Sequence, residues 1–440
     1  MTPRQPFGLP LSVAALVLVC LSLACTGDPR PGAVLEAPAP AGAVASATGT
    51  STPPFRAPTA PDAARAMEHI RVLAGDIGVR EAGTPGEQRA ADYIRDQLER
   101  AGYGATIEAF PVQVPRDESQ VLAVPPGNAA LDAIAMAGAP DGEARGRLVF
   151  AGLGRAADYA GVDARGAIVL VNRGVASFRE KAEAAQQAGA VALVVANTQP
   201  GPFRGTIAAG SPAITIPVVG VASEDASLLD ATAKAGAAIG VRALRKSDRF
   251  ESHNVVGQPS NEPCTAYVGA HYDSVPRAPG ANDNASGTAG MLELARTQRA
   301  AGLCFVAFGS EEVGLFGSQA FVQAHGTQGV RYMLNLDMIG VLDHPEVVAS
   351  DEASSRTLAD RASKAAGAVG VVMPRGAFPQ FASSDHATFT KAGIPAVTLY
   401  AGDDQRMHTP DDDVAHISSE AVGTMLKAGA AILADLQTGR

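Results

Sequence analysis

The chain has 440 residues, of which 46% are hydrophobic and 18% charged, and its formal net charge is −10. That length supports one large core and a second, smaller one. The acidic balance argues against nucleic acid as a partner, since no basic excess is present to neutralise phosphates.

The first segment, "MTPRQPFG", carries a single positive charge at Arg4, and the apolar run "LPLSVAALVLVCLSLAC" follows and stops at Cys25. This is the n-region and h-region pattern of a secretory signal. "LSLAC" resembles a bacterial lipobox, with Ser22 where leucine is commonest, and the resemblance implies lipidation of Cys25 after cleavage over residues 1–25. The expectation is an exported cell-envelope lipoprotein, facing the periplasm or the cell surface, that touches the membrane only through its lipid. Plain secretion is the alternative, and the apolar run is short for a spanning helix. Residues 26–61 are rich in Ala and Pro, lack periodicity and read as a disordered linker.

Residues 62–120 read as the first part of a larger domain. "PDAARAMEHIRVLAGDIG" has helical periodicity, and "GTPGEQRAADYIRDQLERAGY" predicts a second helix with Thr84 as N-cap, Pro85 at the first helical position and Glu87 completing a capping box. Ala91, Ile94, Leu98 and Ala101 form its apolar stripe, and Gly102 ends it. "GATIEAFPVQVP" then predicts a strand.

Residues 121–248 differ. "GRLVFAG", "GAIVLVNRG", "AVALVVAN" and "ITIPVVGV" are short β-rich runs, with the helix "SFREKAEAAQQAGA" between them. They predict a compact, β-rich α/β module without metal-ligand spacing, in which Arg173 is solvated or structural.

Residues 249–440 return to strand, loop and helix in alternation: "TAYVGAHYD", "SGTAGMLELARTQRA", "LCFVAFGSEE", "VRYMLNLDMIG", "PAVTLYAG" and a closing helix "SSEAVGTMLKAGAAILADLQ". The alternation predicts an α/β fold, a mostly parallel mixed sheet with helices on both faces. Cys264 and Cys304 each stand seven positions before a candidate site residue, His271 or Glu311. If their strands are parallel neighbours in register, the cysteines lie at one height and can pair; two separate buried thiols are the alternative.

In such sheets ligands bind outside the carboxyl ends of the strands. His271 and Asp273, Asp283, Glu311 and Glu312, Asp337, and His408 all stand at such ends or in the loops that follow them. Taken singly, each has a bland reading as a cap, a turn former or a structural histidine. Five elements converging on one rim do not, because clustered carboxylates repel and raise each other's pKa unless a cation joins them. Mixed imidazole and carboxylate ligands suit zinc best, with manganese or cobalt as alternatives.

"GAHYDS", "PGANDNASG", "FGSEEVGLFGS", "LNLDMIG", "SSDHATF" and "HTPDDD" cover about 252–415 in order and resemble the M28 family of zinc metallopeptidases, of the bacterial leucyl aminopeptidase type. "REAGTPGEQRAADYIRDQLE" resembles the opening segment of the branch with an inserted protease-associated (PA) domain, and "GAIVLVNRGVASFREKAEAAQQAGAVALVVAN" resembles the PA core. The resemblance implies a zinc exopeptidase fold and two Zn2+ per chain, bridged by Asp283 and a water. His271 and Asp337 would hold one ion, and Glu312 and His408 the other. Asp273 would orient His271 and Asp412 would support the site. Glu311 would be the general base of an aminopeptidase acting on peptides with a free N-terminus. Met407 stands where relatives often carry an oxyanion-binding tyrosine, which leaves His386 and Tyr400 as candidates for that contact. Ser383, Ser384 and Asp385 read equally well as a structural loop. The PA domain would limit access to the site or help place peptides, with a plain structural insertion as the alternative.

Three other readings compete. One is a carboxypeptidase or dipeptidase with the same metal pair. Another is a single-zinc glutaminyl-cyclase-like enzyme, disfavoured by the intact "DNASG", "EE" and "HTP". The last is a non-catalytic binding or adhesion module, disfavoured by five retained ligands and the base.

Overall fold

The computed structural model describes residues 60–259, 262–378 and 382–438. The signal, Cys25 and nearly all of the linker lie outside the described residues. No helix among the described residues is long and apolar enough to cross a membrane. The chain divides into two compact units, one from Gln113–Asp248 and the other from the described residues before 113 and after 248.

In the larger unit, alternate strand residues build two apolar layers. Along the strand Leu303–Phe308, residues Leu303, Phe305 and Ala307 join one cluster, while Cys304, Val306 and Phe308 join another. The neighbouring strand Ala266–His271 repeats the pattern, with Ala266, Val268 and Ala270 on one side and Tyr267 on the other. Helices Ala63–Ile70, Pro85–Arg100, Gly287–Thr297, Ala353–Ala368 and Ser419–Gln437 contribute to the first layer. Phe316–His325 and His386–Lys391 supply Phe321 and Phe389 to the second.

The sheet has eight strands, in the order Gly104–Asp117, Arg245–Gln258, Leu303–Phe308, Ala266–His271, Tyr332–Leu336, Ala396–Tyr400, Glu346–Ala349 and Arg375–Gly376. Its four central strands, Leu303–Phe308 through Ala396–Tyr400, run parallel. Arg245–Gln258 and Glu346–Ala349 flank them antiparallel, so the sheet is mixed. Parallel neighbours present their carboxyl ends along one edge, and three of the four central strands deliver site residues there. Gly269 is needed inside its strand: a Cβ there would come within 2.6 Å of the Phe308 ring and 2.8 Å of Met333.

Cys264 and Cys304 form a disulfide, with Cα atoms 5.6 Å apart. They are not level in the ladder, because Cys304 pairs with Tyr267. Cys264 lies three positions earlier, ahead of its strand, and the bridge closes from there.

The helix Pro85–Arg100 follows an extended Thr84, yet the Thr84 side chain makes no cap bond. Its hydroxyl donates to the Glu81 carbonyl, and the Glu87 carboxylate accepts from the Gly83 N–H and the Ser252 hydroxyl. The predicted capping box is therefore replaced by a longer-range buried bridge.

The unit Gln113–Asp248 contains a closed barrel of seven strands, in the order Gln120–Val124, Ala129–Ala135, Val218–Val221, Ala192–Ala196, Ile168–Asn172, Gly142–Phe150 and Ala238–Ala243. Closure removes the exposed edges that separate short runs would leave. Helix Phe178–Gln187 begins with a complete capping box, Ser177 with Glu180. Arg173 donates to Asn197 and lies over the Phe203 ring, which is a structural arrangement.

Candidate metal centre

His271 ends its strand, and Thr288 holds its carbonyl through a 2.7 Å hydrogen bond. The next strand over ends at Phe308, after which Gly309 fits only without a side chain: a Cβ would meet Glu87 Oε1 and the His253 carbonyl at 2.5 Å. Ser310 then takes a positive φ of 55°. Met338, directly after Asp337, has φ 53°, and His408 has φ 62°. Three of the eight described non-glycine residues with positive φ thus lie at or beside this rim, where strained backbone concentrates at working sites.

Two trios of donor atoms meet there, His271 with Asp283 and Asp337, and Asp283 with Glu312 and His408, each within 4.8 Å of one another. Asp283 belongs to both. Its Oδ1 lies 3.2 Å from His271 Nε2, and its Oδ2 lies 3.1 Å from His408 Nε2. His271 Nε2 is 3.6 Å from Asp337 Oδ1, and His408 Nε2 is 3.2 Å from Glu312 Oε2.

The surrounding residues fix these groups. Asp412 accepts the backbone N–H of Asn282 at 2.7 Å and of Asp283 at 3.1 Å. Asp273 accepts the N–H of Glu311 and of Glu312, one on each oxygen. Its contact with His271 Nδ1 is 3.5 Å, an ion-pair distance, and Nδ1 makes no hydrogen bond. Ser384 donates to Asp337 Oδ2 at 2.6 Å and itself accepts from Asn335. Ser384 therefore orients an acid of the rim, a role that its "SSDH" setting alone left undecided. Beside it, Asp385 is buried with neither oxygen hydrogen-bonded.

The electrostatics favour added positive charge. Burial would lower the pKa of His408, but the Asp283 and Glu312 carboxylates outweigh it and hold the ring up at about 11. Burial likewise opposes the charge on His271, and Glu311 and Asp337, with Asp273 and Asp283, push it well above its ordinary value. Burial raises Glu311 well above the carboxylate range and Glu312 and Asp385 to about 7. A divalent cation fits this donor set on two further observations. Glu312 Oε1 and Asp337 Oδ1 are buried with no hydrogen-bond partner, and the two trios mix imidazole with carboxylate.

The two remaining candidates differ. Tyr400 donates its only hydroxyl proton to Asp403 at 2.7 Å. His386 is buried, its Nδ1 lies 2.8 Å from Thr398 Oγ1, and burial pushes its ring down to about 4, so it is neutral.

The profile of Peptidase family M28 matches residues 254–433, and that of the PA domain matches 144–229. Aminopeptidase YwaD of Bacillus subtilis (strain 168) is 33% identical over 380 residues, covering 81% of this chain and 81% of that one. The "Probable lipoprotein aminopeptidase LpqL" of Mycobacterium tuberculosis is 32% identical over 357 residues, covering 74% and 70%. Among solved structures, BSAP, a zinc aminopeptidase from Bacillus subtilis, aligns with a TM-score of 0.60 and 29% identity over 85% of this chain and 95% of that one. Fold, sequence and the converging acids and histidines lead to one assignment: the chain is a peptidase of family M28 and carries a PA domain.

Proposed function

We propose that this peptidase is an aminopeptidase with two zinc ions, acting on peptides with a free N-terminus at the cell envelope or outside the cell. The observation that carries the proposal is Asp283, whose two carboxylate oxygens face two different histidines at 3.2 and 3.1 Å. His271, Asp283 and Asp337 would hold one ion, and Asp283, Glu312 and His408 the other. When bound, a zinc pair polarises the scissile carbonyl and makes water a competent nucleophile at neutral pH.

The chain's own residues do the rest. Glu311 takes the proton of the attacking water and returns it to the leaving amine. Glu311 and Glu312 follow the left-handed turn at Ser310, and Asp273 holds their two N–H groups, one on each oxygen. One can stay fixed as a ligand while the other exchanges a proton. Neutral His386 can donate to developing negative charge on the carbonyl oxygen, while the Tyr400 proton is committed to Asp403. The free amine of the peptide would be held by Asp337, Glu311 or another carboxylate of the rim. Cys25 and the name of the Mycobacterium relative support a lipid-anchored location.

The test is a panel of peptides with and without N-terminal acetylation, incubated with the zinc-loaded protein. Release of the first residue only from unblocked peptides is expected. Cleavage indifferent to acetylation, or release from the carboxyl end, would overturn the aminopeptidase reading.

A further inference from the structure

Arg80 is the only fully buried arginine among the described residues. Its guanidinium makes five hydrogen bonds, all to backbone carbonyls. Nε donates to Tyr272 at 2.6 Å, Nη2 to Gly280 at 2.9 Å, and Nη1 to Leu73, Gly78 and Pro279 at 3.2, 2.9 and 2.5 Å. The backbone of Arg80 is bracketed as well. Its N–H donates to Ser274 Oγ at 3.0 Å, its carbonyl accepts the Ser274 N–H, and Ser274 Oγ donates onward to Ala278. None of the ion pairs among the described residues includes Arg80.

These acceptors lie where the metal centre is built. Tyr272 stands between His271 and Asp273. Pro279 and Gly280 lead into Asp283, and a Cβ on Gly280 would come within 2.3 Å of the Asp283 carbonyl. The charge itself is not matched by a touching carboxylate. Burial lowers its pKa to about 10, and Asp273, Asp412, Asp283 and Glu312 pull the other way, so it stays cationic at neutral pH.

We infer that Arg80 is a positioning residue for the metal centre: its planar fork locks the strand end bearing His271 and Asp273 against the loop bearing Asp283, and its fixed charge offsets the repulsion among the carboxylates above. The inference rests on the zinc reading given above. A lysine could not replace the fork, because an ammonium has three donors and no planar spread. Arg80 lies far before residues 254–433, the stretch that the peptidase profile matches, so the opening segment of the chain completes the centre.

The test uses the full chain with Arg80→Lys, Arg80→Met and Ser274→Ala. Zinc affinity is measured on metal-stripped protein by competition with a chromophoric chelator. Amide exchange is followed over residues 272–284, and kcat and KM on an unblocked aminoacyl nitroanilide. Arg80→Met should lower zinc affinity and kcat about 10- to 100-fold, with KM little changed and exchange over 272–284 faster. Arg80→Lys should fall between Arg80→Met and wild type, and Ser274→Ala should shift the same readouts by less. Folded Arg80 variants with wild-type zinc affinity, exchange and kcat would overturn the inference. If Arg80→Met does not fold, Arg80→Lys and Ser274→Ala decide by the same measurements. Wild-type protein that takes up no zinc would overturn the metal reading and this inference together. Wild-type uptake of two ions with unaltered variants would overturn the Arg80 inference alone.

Discussion

The carboxylate of Asp273 accepts the backbone N–H of Glu311 at 3.1 Å. Its second oxygen takes the N–H of Glu312 at 3.2 Å, so one buried acid sets the direction of both glutamates. Asp273→Asn keeps the shape but turns an N–H2 toward one of those donors. The expected result is kcat lowered about 10- to 100-fold and a lower melting temperature from the buried donor left unpaired, a loss of about 1–3 kcal/mol, read by steady-state kinetics and circular dichroism. Full activity in Asp273→Asn would show that the two amide bonds are dispensable.

Glu311→Gln should separate binding from turnover. Glu311 belongs to neither donor trio, so both metal ions should remain bound. Loss of a general base lowers the rate by about 10²- to 10⁴-fold. Elemental analysis beside kcat checks both halves, and metal loss with restored activity on reloading would exclude Glu311 as the base.

Much of the rim was legible because His271, Glu311 with Glu312, and Asp337 stand where strand patterns end, "VGAH", "FGSEE" and "LNLD", while Asp283 and His408 sit in loops beyond such ends. Asp412 and Asp273 were also expected beside the rim: Asp412 does hold the Asn282 and Asp283 N–H groups, while Asp273 bonds the Glu311 and Glu312 amides and not the His271 ring. Arg80 and the Glu87 bridge were not legible, because they depend on contacts that local pattern does not encode. Arg80 meets Tyr272 across 192 positions, and Glu87 meets Ser252 across 165. In place of the predicted capping box, Glu87 also takes the Gly83 N–H, and the Thr84 N–H and hydroxyl both donate to the Glu81 carbonyl. The closed barrel depends on Gly142–Phe150 pairing with Ala238–Ala243, which the spacing of short β runs does not reveal. The cysteine pairing shows a similar limit. Equal spacing to His271 and Glu311 implied one height, whereas the ladder sets Cys304 against Tyr267.

The disulfide closes a loop of 40 residues. Restricting such a loop in the unfolded chain stabilises the fold by about 3–4 kcal/mol. Cys264→Ser with Cys304→Ser should therefore melt at a lower temperature, with Phe308 and Tyr267 still packed in the layer beside them. Mass analysis of unreduced peptides checks the pairing, and calorimetry checks the loss. An unchanged melting temperature would argue that the bridge adds no stability.

Burial, against the pull of Glu293 and Glu68, holds the His69 ring down to about 4 from an ordinary 6.5, and its Nδ1 lies 2.7 Å from the Tyr93 hydroxyl. Between those two values the unfolded chain binds the extra proton, so stability rises with pH across the window and is lost as pH falls through it. In His69→Gln, the difference between urea midpoints at about pH 5 and about pH 7.5 should shrink relative to wild type. An equal difference in both proteins would remove His69 as a contributor.

The central claim is that Asp283 joins two metal positions. Elemental analysis of the purified full chain, after dialysis against metal-free buffer, tests it most directly. The account predicts two zinc ions per chain; one ion or none would contradict it.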